Sequence, residues 1–247
     1  MSKLQKLIED YKKGKKVSCV TAYDASISKF LDSQGVNIIL VGDSLGQVIK
    51  GNKSTHNVSF DEVIYHSKCV MCGIKKSLLM IDLPKNTYDT KKQALYYANR
   101  VLNETSADII KLEVSHNIEV VKYLVNNDIP ICAHLGLLPQ SVKNKSGFRK
   151  YGKSSREAKI IMNNAESLDS IGVKLILLEC VDDKLSRIIA NTINCPVIGI
   201  GSGSDLDGQV AVIYDLLGIS FNKISSLSQD NSKYLENIIK TFKKSTK

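Results

Sequence analysis

Asn37-Ile38-Ile39-Leu40-Val41-Gly42-Asp43-Ser44 is a short apolar run that stops abruptly at a carboxylate. A run of this length, bounded by glycine and polar residues, reads as a strand buried on both faces. Strands of that kind belong to parallel sheets covered by helices. Asp43 then emerges at the carboxyl edge of the sheet, where α/β folds place their chemistry.

The same unit recurs along the chain. Val17 to Tyr23, Ser77 to Ile81, Asp108 to Leu112, Pro130 to Ala133, Lys174 to Leu178 and Cys195 to Ile200 are further apolar runs of strand length. Amphipathic segments between them carry helix-start signals: Asp24, Ser59-x-x-Glu62, Thr90-x-x-Gln93 and Ser154-x-x-Glu157. Asp207 to Leu217 reads as a short helix, which leaves an eighth strand to residues 218–228, where the signal is weak. Seven or eight βα repeats without a linker predict one domain over residues 1–247, an α/β fold built as a single (β/α)8 TIM barrel. Residues 1–16 supply an N-terminal helix and a basic turn, and residues 229–247 a lysine-studded helical tail. A doubly wound open sheet is the alternative. It would converge only the strand ends at its switch point, whereas polar ends here follow five or six strands.

Composition narrows the class of function. No apolar run approaches the ~20 residues of a membrane-spanning helix. Met1 to Lys16 is charged, includes Glu9 and Asp10, and lacks an apolar signal core, so a cytoplasmic protein is expected. The net charge of +9 would attract anions, but only four of the 34 basic residues are arginine, and the lysine excess also fits compositional drift. Without zinc-finger spacing or an RNP motif, nucleic acid is not expected as a partner. Four of the six cysteines lie in or beside apolar runs, the habit of small buried hydrophobes in a reducing compartment. Cys69-x-x-Cys72 has no second pair to complete a zinc site.

Chemistry is written at the strand ends. Asp43, Asp82, Lys111 with Glu113, His134, Glu179 and the Gly201 turn each follow an apolar run. Any one of these residues is ordinarily a helix cap or a surface acid. Four carboxylates, a lysine and a histidine on five strands of a closed barrel would share one pocket. Four acids cannot all ionise there without a cation or raised pKa values. Hard oxygen donors without a thiolate suit Mg²⁺, and Asp43, Asp82 and Glu113 are assigned to it. Lys111 and Glu113 are two apart on one strand and share a face, so the lysine can meet a substrate anion beside the metal. Glu179 is left free as a base. A 2-oxo acid held by Mg²⁺ would be acidified at its neighbouring carbon, and the carboxylate could remove that proton to give an enolate. This reading names no electrophile. The turn Gly199 to Ser204 fits either a phosphate cradle or close packing at the barrel mouth.

Several segments then carry a resemblance: Val20-Thr21-Ala22-Tyr23-Asp24, Leu40-Val41-Gly42-Asp43-Ser44-Leu45-Gly46, Asp82-Leu83-Pro84, Lys111-Leu112-Glu113, His134-Leu135-Gly136-Leu137, Pro139-Gln140-Ser141-Val142, Leu178-Glu179-Cys180, Ile198-Gly199-Ile200-Gly201 and Asp207-Gly208-Gln209. In this order they resemble the ketopantoate (3-methyl-2-oxobutanoate) hydroxymethyltransferase family, from about Leu4 to Ile219. The resemblance implies a (β/α)8 barrel that binds Mg²⁺ through Asp43, Asp82 and Glu113. It implies keto-acid contacts from Asp43, Ser44, Asp82 and Lys111, to which His134 is added, with Glu179 as proton acceptor. It supplies the electrophile as well: 5,10-methylenetetrahydrofolate would give its one-carbon unit to the enolate, yielding 2-dehydropantoate and tetrahydrofolate on the route to pantothenate. It also lowers the phosphate reading of the glycine turn. Family members are cytosolic homo-oligomers, often decamers.

Three departures from the family pattern touch the folate side and oligomer packing more than the acids: Lys85-Asn86-Thr87 after Pro84, Tyr214 where a histidine is usual, and Lys223-Ile224-Ser225 in place of Pro-Lys-Phe. Two other functions remain open at this point, a folate-independent Mg²⁺ lyase or aldolase of the same barrel type and a non-catalytic assembly paralogue.

Overall fold

Alternation within each short strand divides its side chains between two cores. In the computed structural model, which describes residues 1–115, 117–142, 149–221 and 231–246, eight parallel strands close into a barrel in sequence order, with the eighth returning to the first. The strands are β1 (Val17–Thr21), β2 (Ile38–Val41), β3 (Leu78–Asp82), β4 (Ile109–Glu113), β5 (Ile131–Gly136), β6 (Leu175–Glu179), β7 (Val197–Ile200) and β8 (Gly208–Ala211). Cys19, Leu40, Met80, Ile109, Cys132 and Leu177 belong to the core that fills the barrel. Their neighbours Val20, Ile39, Leu79, Ile110, Ala133 and Ile176 belong to the second core, shared with the surrounding helices. This is the expected barrel, and no open sheet edge remains.

The helices form around it for local reasons. In α2 (Ala25–Ser33), Asp24 Oδ1 accepts the amides of Ser26 and Ile27. In α4 (Phe60–Met71), Ser59 and Glu62 make the expected reciprocal capping box. At α5 (Lys91–Thr105), the Thr90 hydroxyl accepts Gln93 N–H, but Gln93 Oε1 accepts from Asp89 N–H rather than Thr90 N–H, so the box is displaced by one residue. The ring continues through α6 (Ile118–Val125), α7 (Ser155–Ile171) and α8 (Asp183–Thr192). The opening helix α1 (Lys3–Lys12) sets Leu7 against the barrel core beside Val17 and closes the end opposite the strand tips.

Two parts differ from expectation. The eighth strand is Gly208–Ala211, and only Ile213–Leu217, named α9, is helical. Apolar Val210, Val212 and Ile213 run on into the helix, so strand and helix merge into one amphipathic pattern in the sequence. Most of the region expected to hold the strand, 222–228, lies outside the described residues, as does Lys223-Ile224-Ser225. The long β2–α4 connection also contains a turn of helix, α3 (Leu45–Val48), begun by Ser44. The last helix is α10 (Ser232–Ser245), all of whose side chains keep some exposure. No helix among the described residues is long and apolar enough to cross a membrane, and all six cysteines are free.

One glycine fixes how β5 meets β6. Gly136 pairs with Glu179 and has φ +95°. A Cβ there would sit 2.3 Å from Glu179 O and 2.5 Å from Val181 Cγ2. Gly136→Ala therefore combines left-handed strain with overpacking, about 2–4 kcal/mol together. The expected outcome is a melting midpoint lowered by roughly 5–15 °C, measured by circular dichroism. An unchanged midpoint would mean that the β5–β6 edge has slack.

Candidate active site

Of the strand-tip residues that the sequence groups in one pocket, the structure brings Asp43, Asp82, Lys111 and Glu179 to a common cavity and leaves Glu113 and His134 off it. Asp43, Ser44, Asp82, Lys111 and Glu179 line one cavity at the carboxyl end of the barrel, with Gly42 beneath them and Thr55 and Pro139 contributed by the loops above. Asp82 ends β3, Lys111 lies in β4, and their registered strands bring Lys111 Nζ to 2.5 Å from Asp82 Oδ2. Both side chains are buried. At Gly42 an added Cβ would already lie 3.7 Å from Asp82 Oδ2, so a longer side chain would run into that carboxylate.

Burial dominates the electrostatics. It pushes Asp82 up to about 7, against the opposing pull of Lys111, and the neighbouring Asp43 adds to the rise. Asp43 is raised for the same first reason, with Glu179 adding and Lys111 opposing. Burial likewise lifts Glu179 to about 7, with Lys111 the counterweight. For Lys111 burial disfavours the charge, but Asp82 and Asp43 outweigh it and hold the ammonium protonated. One fixed cation thus faces several carboxyls that resist joint ionisation.

Two oxygens stand out. Asp43 Oδ2 and Asp82 Oδ1 are buried and accept no hydrogen bond. Buried carboxylate oxygens are ordinarily satisfied. Two unpaired hard donors facing one cavity fit Mg²⁺, which takes one or two protein carboxylates and fills its remaining positions with water or substrate oxygens. Among the described residues no group of three His, Cys, Asp or Glu side chains is already gathered tightly enough to hold an ion.

Glu113 sits differently. It shares the interior face of β4 with Lys111, but its Oε1 accepts Gln140 N–H at 2.8 Å and its Oε2 accepts the Ser141 hydroxyl at 3.0 Å. It is buried and does not line the cavity. Burial, then Asp43, raise it to about 8, while the Gln140 amide opposes. His134 also lies off the cavity, in β5 and 1% exposed. Its Nε2 is 3.2 Å from Glu179 Oε2, but neither ring nitrogen makes a well-aligned hydrogen bond. Burial holds its pKa well below the usual value, so the ring is neutral.

The glycine turn after β7 is tightly packed. A Cβ on Gly199 would meet Leu206 Cδ1 at 2.3 Å, and the buried Ser202 hydroxyl accepts Val181 N–H and donates to Leu178 O. Several features were missed in the sequence. Thr55 and Gln47 reach the cavity from the connection after β2. Tyr23 lies 2.7 Å from Ser44 through its hydroxyl. Gln140 and Ser141 fell within a quoted segment, yet their role depends on where the loop after β5 folds.

Comparison with known proteins gives the family of the chain. The family model described as ketopantoate hydroxymethyltransferase matches residues 2–246. The 3-methyl-2-oxobutanoate hydroxymethyltransferase of Shewanella loihica is 41% identical over 225 residues, covering 91% of this chain and 85% of its own length. The protein of the same name from Idiomarina loihiensis is 41% identical over 220 residues, covering 89% and 82%. Among solved structures, phosphonopyruvate hydrolase in complex with oxalate and Mg²⁺ superposes with a TM-score of 0.63 at 10% identity, covering 98% of this chain and 97% of that one. At that identity the likeness concerns the barrel fold alone.

The buried pair generates a stability prediction. Lys111→Met takes from Asp82 and Asp43 the cation paired with them, and removing one partner of a buried ion pair costs about 3–5 kcal/mol. Asp82, already raised with the lysine present, then rises further. A carboxyl whose folded pKa exceeds its unfolded value takes up a proton on folding, so its penalty grows as pH rises through that window and shrinks in acid. The variant should show a lower urea midpoint at pH 8 and recover part of the loss at pH 6. A midpoint equal to the parent's at pH 8 would show that water reaches the pair.

Proposed function

The chain belongs to the ketopantoate hydroxymethyltransferase family, and we propose that its cavity transfers a hydroxymethyl group from 5,10-methylenetetrahydrofolate to 3-methyl-2-oxobutanoate. The observation that carries the reading is the pair of unsatisfied oxygens, Asp43 Oδ2 and Asp82 Oδ1, in one cavity with protonated Lys111 and with Glu179. Asp43 and Asp82 would hold Mg²⁺ directly. Glu113, whose oxygens each keep a second lone pair, is the third candidate. When bound, Mg²⁺ supplies Lewis acidity at the keto acid's oxygens.

The chain's own residues do the rest. Lys111 presents a fixed positive charge to the keto-acid anion, and Ser44 offers a hydroxyl from the start of α3. Glu179 stands at the end of a rigid strand with its pKa near the working pH, where a general base is most effective. Ionised, it takes the C3 proton of the keto acid. The methylene carbon then loses both of its bonds to folate nitrogen and gains one to the enolate carbon and one to a water oxygen. The proton taken by Glu179 and one proton of that water pass to the two nitrogens, and 2-dehydropantoate and tetrahydrofolate leave. His134, neutral and buried beside Glu179, supports the base from within the barrel rather than meeting substrate in the open cavity. The reaction would be a cytoplasmic step toward pantothenate. Exposed Tyr234, Ile238, Ile239 and Phe242 on α10 are consistent with a homo-oligomer, of which a decamer is the form the resemblance implies.

Proton exchange separates the roles. Glu179→Gln should abolish exchange of the keto acid's C3 hydrogen with deuterated solvent, followed by NMR, while Mg²⁺-dependent calorimetric binding persists. Asp82→Asn, or chelation of the metal from the parent protein, should instead weaken that binding. Exchange at the parental rate in Glu179→Gln would refute the base assignment. Absence of keto-acid-dependent tetrahydrofolate release from metal-loaded protein would refute the folate reaction and leave a lyase or aldolase.

The raised carboxyl also predicts a pH profile. A base works ionised, so the exchange rate should rise with pH and level off above about 7. A profile level from pH 5 to 8 would exclude Glu179 as the titrating group.

A further inference from the structure

Ser44 is the N-cap residue of α3, a position where a serine side chain ordinarily accepts a backbone amide of the first turn. Here it makes no capping bond. Its Oγ lies instead 2.7 Å from the hydroxyl of Tyr23, and Ser44 also lines the cavity. Tyr23 lies two residues past the end of β1 and is 2% exposed, held through both its ring and its backbone. It stacks on Tyr214 of α9, centroids 6.0 Å apart and planes 29° apart. Its carbonyl accepts the Nδ1 hydrogen of His66, on α4, at 2.7 Å. A tyrosine so immobilised is an expensive way to fill space beside a cavity unless its hydroxyl has a task. Its partners are the side chains of Ser44, which lies at the cavity, and of Thr21.

A hydroxyl carries one hydrogen and two lone pairs. When Tyr23 donates to Ser44 Oγ, the Ser44 hydrogen is left for another acceptor, and no capping interaction claims that side chain. An anionic oxygen in the cavity is the acceptor this arrangement suits. Burial raises the Tyr23 phenol, so it stays a donor through the neutral range.

We propose that Tyr23 is a positioning residue, which fixes the Ser44 hydroxyl as a hydrogen-bond donor to the carboxylate of a 2-oxo acid held in the cavity. The inference rests on Ser44 being a substrate contact. It adds a residue that does not itself touch substrate and that joins β1, α4 and α9 to the tip of β2. It also gives Tyr214 a place in the site, as the surface against which the Tyr23 ring is held.

A double-mutant cycle on the full-length, Mg²⁺-loaded protein tests it. Tyr23→Phe keeps the ring and its stack and removes only the hydroxyl; Ser44→Ala removes the group it would orient. Misorientation forfeits part of a hydrogen bond to a charged group, so Tyr23→Phe should raise the KM for 3-methyl-2-oxobutanoate about fivefold to tenfold. Its kcat should stay within about twofold, because the base and the metal carboxylates are untouched. Ser44→Ala should raise KM at least as much, and Tyr23→Phe added to Ser44→Ala should change nothing further. Calorimetric Kd values for the keto acid should follow the same pattern. Equal factors for Tyr23→Phe with and without Ser44 would overturn the proposal, because the tyrosine would then act through general packing. An unchanged KM for Tyr23→Phe, with Ser44→Ala impaired, would overturn it while leaving Ser44 as a substrate contact. An unchanged KM for Ser44→Ala would overturn both.

Discussion

The arrangement depends on the buried ammonium of Lys111. Lys111 is the cation closest to Asp82 and acts on Asp43, Glu113 and Glu179 as well. Burying that many carboxyls opposes folding, because each ionised group loses hydration that the interior does not replace. One lysine answers part of this demand, and raised pKa values answer the rest by keeping some carboxyls protonated. A divalent cation between Asp43 and Asp82 would relieve the same demand without protons. The site therefore favours a metal for the reason it is unfavourable without one, and the apolar filling of the barrel below keeps water from relieving it instead.

That demand is not shared evenly. Glu113 has both oxygens engaged by the loop after β5. It therefore ties that loop to the barrel whether or not an ion is present. Asp43 and Asp82 each keep one oxygen unsatisfied. Carboxyls with the same strand-end position thus divide into one already bonded through both oxygens, which could meet an ion only through its remaining lone pairs, and two with an oxygen wholly free for a ligand. His134 extends the gradient inward: it is neutral, dry and beside Glu179, so it adds no charge to a site that already has too many.

Much of this is legible in the sequence because a parallel barrel has a simple grammar. An apolar run of four or five residues must be a strand, and the residue where polarity returns must lie at its tip. Asp43, Asp82, Lys111 and Glu179 follow from that rule alone. β8 does not, because Gly208–Ala211 opens with glycine, has four residues and flows into the apolar face of α9. The displaced box at Thr90 is illegible for another reason: Gln93 satisfies the pattern, but its side chain also reaches the turn at Asn86. Glu113 and Tyr23 show the general limit. Spacing places a side chain on a face, whereas its partners come from segments 27 or 21 residues away, and only closure of the fold brings those together.

The placement of Glu179 shows how the barrel turns excess stability into chemistry. Cys180, the next residue, has φ +51°, a left-handed conformation that disfavours any side chain beyond glycine. Its amide is nonetheless held by Ile200 O and its carbonyl by Tyr151 N–H, while Glu179 O accepts Leu137 N–H. Gly136, where a Cβ would collide with Glu179 O, leaves room for that last contact. Three neighbouring segments thus over-determine a locally strained turn, and the strain ends β6 abruptly with Glu179 facing the cavity. A carboxylate on a relaxed loop could turn to water and ionise near its ordinary pKa. Held at the tip of a strand, with its backbone pinned on both sides, Glu179 keeps both its burial and its aim. Its raised pKa and its fixed direction therefore have one structural cause.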